Sequence, residues 1–406
     1  MNRKISLGTA LTIMLIVAAI SISLTMGLSW SAFNQTVADV AERQAMYEKL
    51  DEIDQIFRQN CLFELDEEEL QRAIARGYVS GTGDRYAAYL TQDQSENRTT
   101  KYEGKSYGIG LSCVRYADSE DLLVTLVHEG SPAEEAGLRA GDVIVAVDGV
   151  MAQEAGYDKT VERIQGKEDT PCVLSVAREE QTLEITANRA EYTSTTVSGR
   201  MVDGIGVIRI YSFASNTAEQ FQRVYHNLSG QGAEGLVIDL RNNLGGTLDS
   251  TERILDFLLP EGNLYTTVYK DGREEKHPSD ANCVNLPMAV LVNGNSASAS
   301  ELLAGAMQDF GAAKLVGTKT YGKGVMQNTY TLRDKSSVVL TFAYFDLPNG
   351  ENYDGVGITP DCEVALSEDQ TKRFYQLTDE EDPQFQEALR QVRGETQPSD
   401  SPDAAQ

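Results

Sequence analysis

The chain has 406 residues, 62 acidic against 35 basic, for a formal net charge of −27 and 41% apolar content. Such a charge repels nucleic acid and anionic lipid alike, so neither is an expected partner of the folded body. The apolar content and length suit roughly two or three packed domains.

At the amino end, Arg3 and Lys4 precede an uncharged stretch from Ile5 to Ala38 with an apolar centre at Leu11 to Leu28. As a helix, residues 5–28 would cover about 36 Å, slightly more than a bilayer's hydrocarbon core. Trp30 and Phe33 suit the outer interface, and the basic residues hold the amino end inside. Residues 1–33 are therefore expected to be a single-pass anchor, with a cleaved signal peptide and a secreted body as the alternative. No Ala-x-Ala-like site follows the apolar run. Either way the body is expected to be extracytoplasmic.

Residues 34–104 carry helical patterning with polar faces, at Ala41 to Phe57 and Glu67 to Ala75, and Asp66 to Glu69 reads as a solvated helix start. From Thr91 to Gly104 the composition turns polar and reads as a loop-like hinge. Residues 105–190 follow as short strands, Leu122 to Val127, Val143 to Val147 and Cys172 to Val176, with a helix at Thr160 to Ile164. The five cysteines, Cys61, Cys113, Cys172, Cys283 and Cys362, show no metal-ligand spacing, so no metal is expected. Cys113 and Cys172 both fall in apolar, strand-like stretches, where two buried thiols are the expectation over a bridge.

Residues 191–370 alternate strand and helix: strand Ile205 to Ile210, helix Ala218 to Leu228, strand Leu236 to Leu240, helix Asp249 to Leu258, strand Met288 to Val292. This is a layered α/β core, in which active residues belong at strand-to-helix turns. One such turn is Asn-Ser-Ala-Ser-Ala-Ser-Glu, 295 to 301, ahead of an apolar helix Leu302 to Phe310. Ser298 with Glu301 is a capping box. It is also a candidate nucleophile, because a helix N-terminus offers free N–H groups to a developing oxyanion. Spacing alone leaves Ser296 and Ser300 as rivals.

A serine hydroxyl needs a base. The three histidines are poorly placed: His128 precedes a turn, His226 sits on a polar helix-like stretch, and His277 follows a charged loop. Lys323, in Tyr-Gly-Lys-Gly, has no acid within three residues, and burial would favour its neutral form. The run Gly317 to Lys323 also matches a phosphate loop up to its last position, but Gly324 stands where Ser or Thr is needed, and Val325 to Leu332 is strand-like instead of helical. On that strand Gln327 would share a face with Lys323 and orient its amine. Pro348 to Gly350 reads as a turn, and residues 371–406 as a helix to Arg393 followed by a disordered acidic tail.

Taken together, the pieces resemble the carboxyl-terminal processing proteases, also called tail-specific proteases. The matching segments are Gly81-Thr-Gly-Asp-Arg-Tyr-Ala-Ala-Tyr-Leu90, Gly130-Ser-Pro-Ala-Glu-Glu-Ala-Gly-Leu-Arg-Ala-Gly-Asp142, Asp239-Leu-Arg-Asn-Asn-Leu-Gly-Gly246, the serine and lysine motifs, and Gly357-Ile-Thr-Pro-Asp361. The resemblance implies a PDZ domain over 105–190 joined to a crotonase/ClpP-like strand-strand-helix peptidase core over 191–370. It selects Ser298 as nucleophile, Lys323 as general base and Gln327 as the residue that positions it. It further implies an oxyanion hole from Ala299 and a glycine of the Gly245-Gly246 pair. A PDZ domain can take a peptide as an added strand, its terminal carboxylate held by a glycine-bearing loop. Here that loop would be Tyr107-Gly108-Ile109-Gly110-Leu111. The chain departs from the family pattern at Gln165, before Gly166, where a basic residue is common; Arg163 is the nearest substitute.

The expected function is thus a serine endopeptidase without metal or organic cofactor, acting on proteins or peptides with an accessible carboxyl terminus; a homodimer is left open. The rival readings are a PDZ adaptor on a catalytically dead peptidase fold and a crotonase-type acyl-CoA enzyme. The motif residues argue against the first, and export argues against the second.

Overall fold

The computed structural model describes residues 7–395, divided into two compact units, Met1–Ala75 and Arg76–Gln406. The first unit holds α1, Leu7–Asn60, and most of α2, Glu67–Ser80. Asp66 caps α2 by accepting from the N–H groups of Glu68 (3.1 Å) and Glu69 (3.0 Å), and Arg58 on α1 reaches Glu67 on α2 (3.0 Å). Among the described residues no helix is long and apolar enough to cross a membrane, so the expected anchor over 1–33 gains no support there. Residues 1–6, most side chains of the apolar run and the tail beyond 395 lie outside the described residues.

The second unit opens with β1, Ala88–Leu90, and α3, Gln92–Tyr102. The hinge expected at Thr91 to Gly104 is therefore a helix. Its signal was local: Thr91 and Gln94 form a reciprocal capping box, and no apolar stripe advertises it because its packing uses a Ser95–Ser337 hydroxyl pair at 2.6 Å.

Eight strands come next: β2, Lys105–Gly108; β3, Leu111–Arg115; β4, Leu122–Val127; β5, Val143–Val147; β6, Val150–Met151; β7, Pro171–Arg178; β8, Gln181–Asn188; and β9, Ala190–Thr193. Three short helices punctuate them: α4, Pro132–Glu135; α5, Ala152–Ala155; and α6, Tyr157–Ile164. Their main sheet runs β3-β4-β5-β7-β8, with β6 on β5, while β2 and β9 pair separately. Its core includes Ile109, Leu122, Val124, Ile144, Leu174 and Val176. Cys172 is buried and Cys113 half-buried, both as free thiols, and burial pushes each up to about 11.

The larger core follows as β10, Val197–Val202; β11, Ile205–Ile210; α7, Thr217–Gly230; β12, Gly235–Asp239; α8, Leu248–Leu258; β13, Gly262–Tyr269; β14, Glu274–Ser279; β15, Met288–Val292; α9, Ala299–Asp309; β16, Ala313–Gly317; β17, Val325–Thr331; β18, Ser337–Asp346; β19, Cys362–Glu363; α10, Glu368–Lys372; and α11, Pro383–Arg393. One sheet runs β10-β11-β12-β15-β16-β19, parallel except for β10. Both its faces are apolar, as a covered parallel sheet requires. Ile208, Ile210, Ile238 and Val290 meet α7, α8 and α9, while Val207, Val237 and Leu291 meet Phe385, Ala388 and Leu389 of α11. A second, antiparallel sheet is built around β18, which pairs with β1, β13 and β17. The mixed α/β, multidomain architecture is that expected from the sequence.

Candidate active site

Parallel strands deliver their functional turns at their carboxyl ends, and three such turns meet here. After β12, Asp239 to Gly246 makes a tight loop. Asn243 Nδ2 donates to the Ile210 carbonyl (2.8 Å) and Asn243 Oδ1 accepts from the Gly245 N–H (2.9 Å). Gly246, at φ +151°, passes so close to Phe213 that a Cβ would lie 1.9 Å from its carbonyl oxygen. A Cβ on Gly245 would sit 2.9 Å from the Ala299 nitrogen and 3.0 Å from the Ser298 Cβ. The glycine pair therefore lies directly against the start of α9.

After β15, Ser298 stands at the N-cap of α9 with φ +58° and ψ −116°, a strained backbone for a serine. The rival hydroxyls are otherwise engaged. Ser296 is buried and donates to the Leu240 carbonyl (2.9 Å), and Ser300 is buried and donates to the Asn243 carbonyl (2.9 Å).

After β16, the loop carrying Lys323 runs directly into β17, so no helix follows to serve a phosphate loop. Lys323 Nζ donates to Gln327 Oε1 (2.7 Å), and Gln327 Nε2 donates in turn to the Tyr86 carbonyl. The contact forms for a different reason than strand alternation: Lys323 precedes β17, and a bulge separates Met326 from Gln327. Burial first, and then the charge of Arg98, push the Lys323 amine below the ordinary lysine range, while Asp84, Asp354 and Glu301 oppose them. No hydrogen bond joins Lys323 Nζ to the Ser298 hydroxyl among the described residues; such bonds often tighten only with substrate bound.

One cleft of about 850 Å³ is lined by Ser298, Lys323, Gln327, Gly245 and Gly246, with Leu244, Val325, Met326 and Phe345 as apolar wall and Arg98 and Lys101 from α3. Neighbouring it, a cavity of about 700 Å³ is lined by Tyr107, Leu111, Ser112, His128, Gln165 and Gly166 and shares Lys101, Tyr102, Gly245 and Gly246 with the cleft. Of the other residues in the expected carboxylate loop, Ile109 is buried in the core below, and Gly108 and Gly110 take positive φ. Gln165 lines the shared cavity; Arg163 does not. None of the three histidines reaches the catalytic cleft.

Two contributors escaped the sequence reading. Glu301 entered it only as a cap, yet its buried carboxylate accepts from the N–H groups of Ser298 (2.8 Å), Gly322 (2.6 Å) and Lys323 (2.8 Å) and from the Thr320 hydroxyl (2.6 Å). One side chain thus ties the serine turn to the lysine loop. Tyr86 puts its ring 4.8 Å from Lys323 Nζ, and its neighbours Asp84 and Arg85 pin the segment to Thr341 (2.7 Å) and Asp354 (3.0 Å). The Gly81 to Leu90 motif signalled this segment, without showing where it docks.

Comparison with known proteins places the chain in a family. Peptidase family S41 matches over residues 204–364 and the PDZ domain over residues 123–178. A carboxyl-terminal-processing protease of Synechocystis sp. is 34% identical over 317 residues, 76% of this chain and 74% of that protein. The chain belongs to the carboxyl-terminal-processing proteases of peptidase family S41. A probable CtpA-like serine protease of Staphylococcus haemolyticus is 31% identical across 87% of this chain and 71% of its own length. Among solved structures, an S41 protease of Bacteroides fragilis superposes with a TM-score of 0.58 at 20% identity, over 82% of this chain and 92% of its own, a likeness of fold. The protein is accordingly a serine peptidase with a PDZ domain, and its substrates are proteins or peptides.

Proposed function

We propose that this S41 peptidase is an extracytoplasmic endopeptidase using Ser298 as nucleophile and Lys323 as general base, on substrates presented through their carboxyl-terminal region by the PDZ domain. The observation that carries the reading is the meeting of a strained N-cap serine and a desolvated, Gln327-held lysine in one cleft. Neutral Lys323 takes the Ser298 proton, and the alkoxide attacks the peptide carbonyl. The Gly245 N–H is already committed to Asn243, so the developing oxyanion falls to the N–H groups of Gly246 and Ala299. Protonated Lys323 then gives its proton to the leaving amine, and water activated by the same lysine releases the acyl group. Neither metal nor organic cofactor enters any step.

Substrate entry follows the shared wall of the two cavities. A peptide added to the edge strand β3 would lie in the cavity that shares Gly245 and Gly246 with the catalytic cleft. Gln165 takes the place on that wall where a basic residue would couple ligand to site. The apolar run at residues 5–28 is proposed as the bacterial membrane anchor. In cell fractionation the full chain should stay with carbonate-washed membranes, whereas a shortened chain in the medium would indicate a cleaved signal.

The deciding experiment is cleavage of an unstructured model protein by residues 35–406 beside Ser298→Ala and Lys323→Ala. Loss of cleavage to background in both variants supports the dyad. A parent that cuts nothing, even with a carboxyl-terminal peptide added, transfers the weight to the tethering adaptor. Light scattering on the same sample separates monomer from homodimer.

A further inference from the structure

Arginines in this acidic chain generally find a carboxylate: Arg85 pairs with Asp354, Arg178 with Asp142, Arg200 with Asp379 and Arg241 with Asp239. Arg98 is an exception inside the catalytic cleft. It stands on α3, it is partly buried, and its Nε is buried with no hydrogen-bond partner among the described residues. Its guanidinium carbon lies over the Tyr102 ring, 4.9 Å from the centroid, and it lines the same cleft as Ser298 and Lys323. Lys101, three residues on and so on the same helix face, lines the cleft as well and makes no ion pair among the described residues. Glu103 is the one acid among the described residues that line the cleft. A buried guanidinium donor left unpaired is costly, and the geometry that satisfies it best is a carboxylate.

We propose that Arg98, backed by Lys101, receives a carboxylate of the substrate in the catalytic cleft and so selects chains that are acidic close to the bond to be cut. The inference rests on the Ser-Lys peptidase reading and adds a specificity-determining residue to it. Two sources can supply the carboxylate, an Asp or Glu side chain or the substrate's own carboxyl terminus, and both present the same two oxygens to the fork.

The test lets pairs of peptides compete for the full chain, so that each ratio of kcat/KM is independent of how much enzyme is active. In one arm Glu and Gln are exchanged at each of three positions on either side of the cleaved bond. In the other the peptide ends in a free acid or an amide. We expect one position, or the terminus, to favour the acid roughly tenfold. That ratio should fall toward one in Arg98→Gln, persist in part in Arg98→Lys and reverse toward a Lys-bearing peptide in Arg98→Glu. In the parent it should also shrink between low salt and 1 M salt, a readout that needs no variant. A preference in the first arm assigns the side chain, and in the second the terminus. A parent ratio within twofold of one in both arms, or a preference that Arg98→Gln leaves intact, overturns the proposal while the peptidase reading stands. A parent that cleaves no peptide overturns both.

Discussion

In the proposed mechanism Lys323 serves as base only while neutral, and the groups around it set the pH at which that happens. Burial and the Arg98 charge favour the neutral amine, whereas Asp84, Asp354 and Glu301 favour the ammonium. Activity should therefore rise with pH along a limb placed below the ordinary lysine value. Arg98→Gln removes a repelling cation, so the limb of kcat/KM against pH should move up. Glu301→Gln removes an attracting anion, so the limb should move down, with kcat falling at least tenfold as the serine turn and lysine loop lose their common anchor. A profile unmoved in both variants would refute this account of the base. Short motifs marked the serine cluster, Lys323 and Gln327 as candidates because their residue types suit the chemistry, while the choice of Ser298 over Ser296 and Ser300 came from the family resemblance. Arg98 could not be picked out in this way, since an arginine in a polar stretch has no local mark of what it will face.

At the scale of elements, α3 shows how a helix can escape a search for apolar periodicity. Its capping box was present in the sequence, but its polar faces read as a loop because its docking partner, Ser337 on β18, lies 242 residues away. In the PDZ domain, β3 is an edge strand whose Cys113 carbonyl accepts from the Tyr157 hydroxyl of α6 (3.3 Å). A peptide adding to that edge would compete for the carbonyl. Tyr157→Phe should then tighten binding of a carboxyl-terminal peptide roughly two- to tenfold in a fluorescence titration. Weaker binding would instead make Tyr157 a contact for the ligand.

Across the whole second unit, two buried networks couple distant segments. Arg241 donates to Asp239 at the end of β12 and to Asp382 (2.7 Å) and Gln384 (3.0 Å) at the start of α11. The neighbouring Arg241 and Arg209 guanidinium groups outweigh burial and hold the Asp239 carboxyl below its usual range. Its contribution to stability is therefore present above the ordinary carboxylate pKa and is lost on acidification. Arg241→Ala strands two buried acids and should cost about 3–5 kcal/mol in urea unfolding. Between PDZ and peptidase segments, His128 is held neutral: its Nδ1 accepts from the Thr195 N–H (3.1 Å), its ring stacks on Tyr192, and burial lowers it to about 4. The unfolded chain binds a proton that the folded one refuses. Stability should thus fall by on the order of 3 kcal/mol as pH drops from about 6.5 to about 4, and less in His128→Gln. Equal slopes in parent and variant would exclude His128 as the cause.

The sequence by itself determined the class of chemistry, the order of the PDZ and peptidase segments and the strand-helix alternation around Met288 to Val292 and the serine helix. Those properties live in short motifs and in the periodicity of contiguous residues. Only the tertiary structure decided which of three serines faces the cleft, because Ser296 and Ser300 spend their hydroxyls on backbone carbonyls of the loop and strand end near β12. It also decided that Glu301 ties the serine turn to the lysine loop, that Gln327 reaches Lys323 across a bulge, and that Arg98 lines the cleft. The Glu301 tie to the lysine loop spans more than twenty residues, and the bulge that brings Gln327 to Lys323 is set by pairing of β17 with β18; such contacts leave no period in the chain.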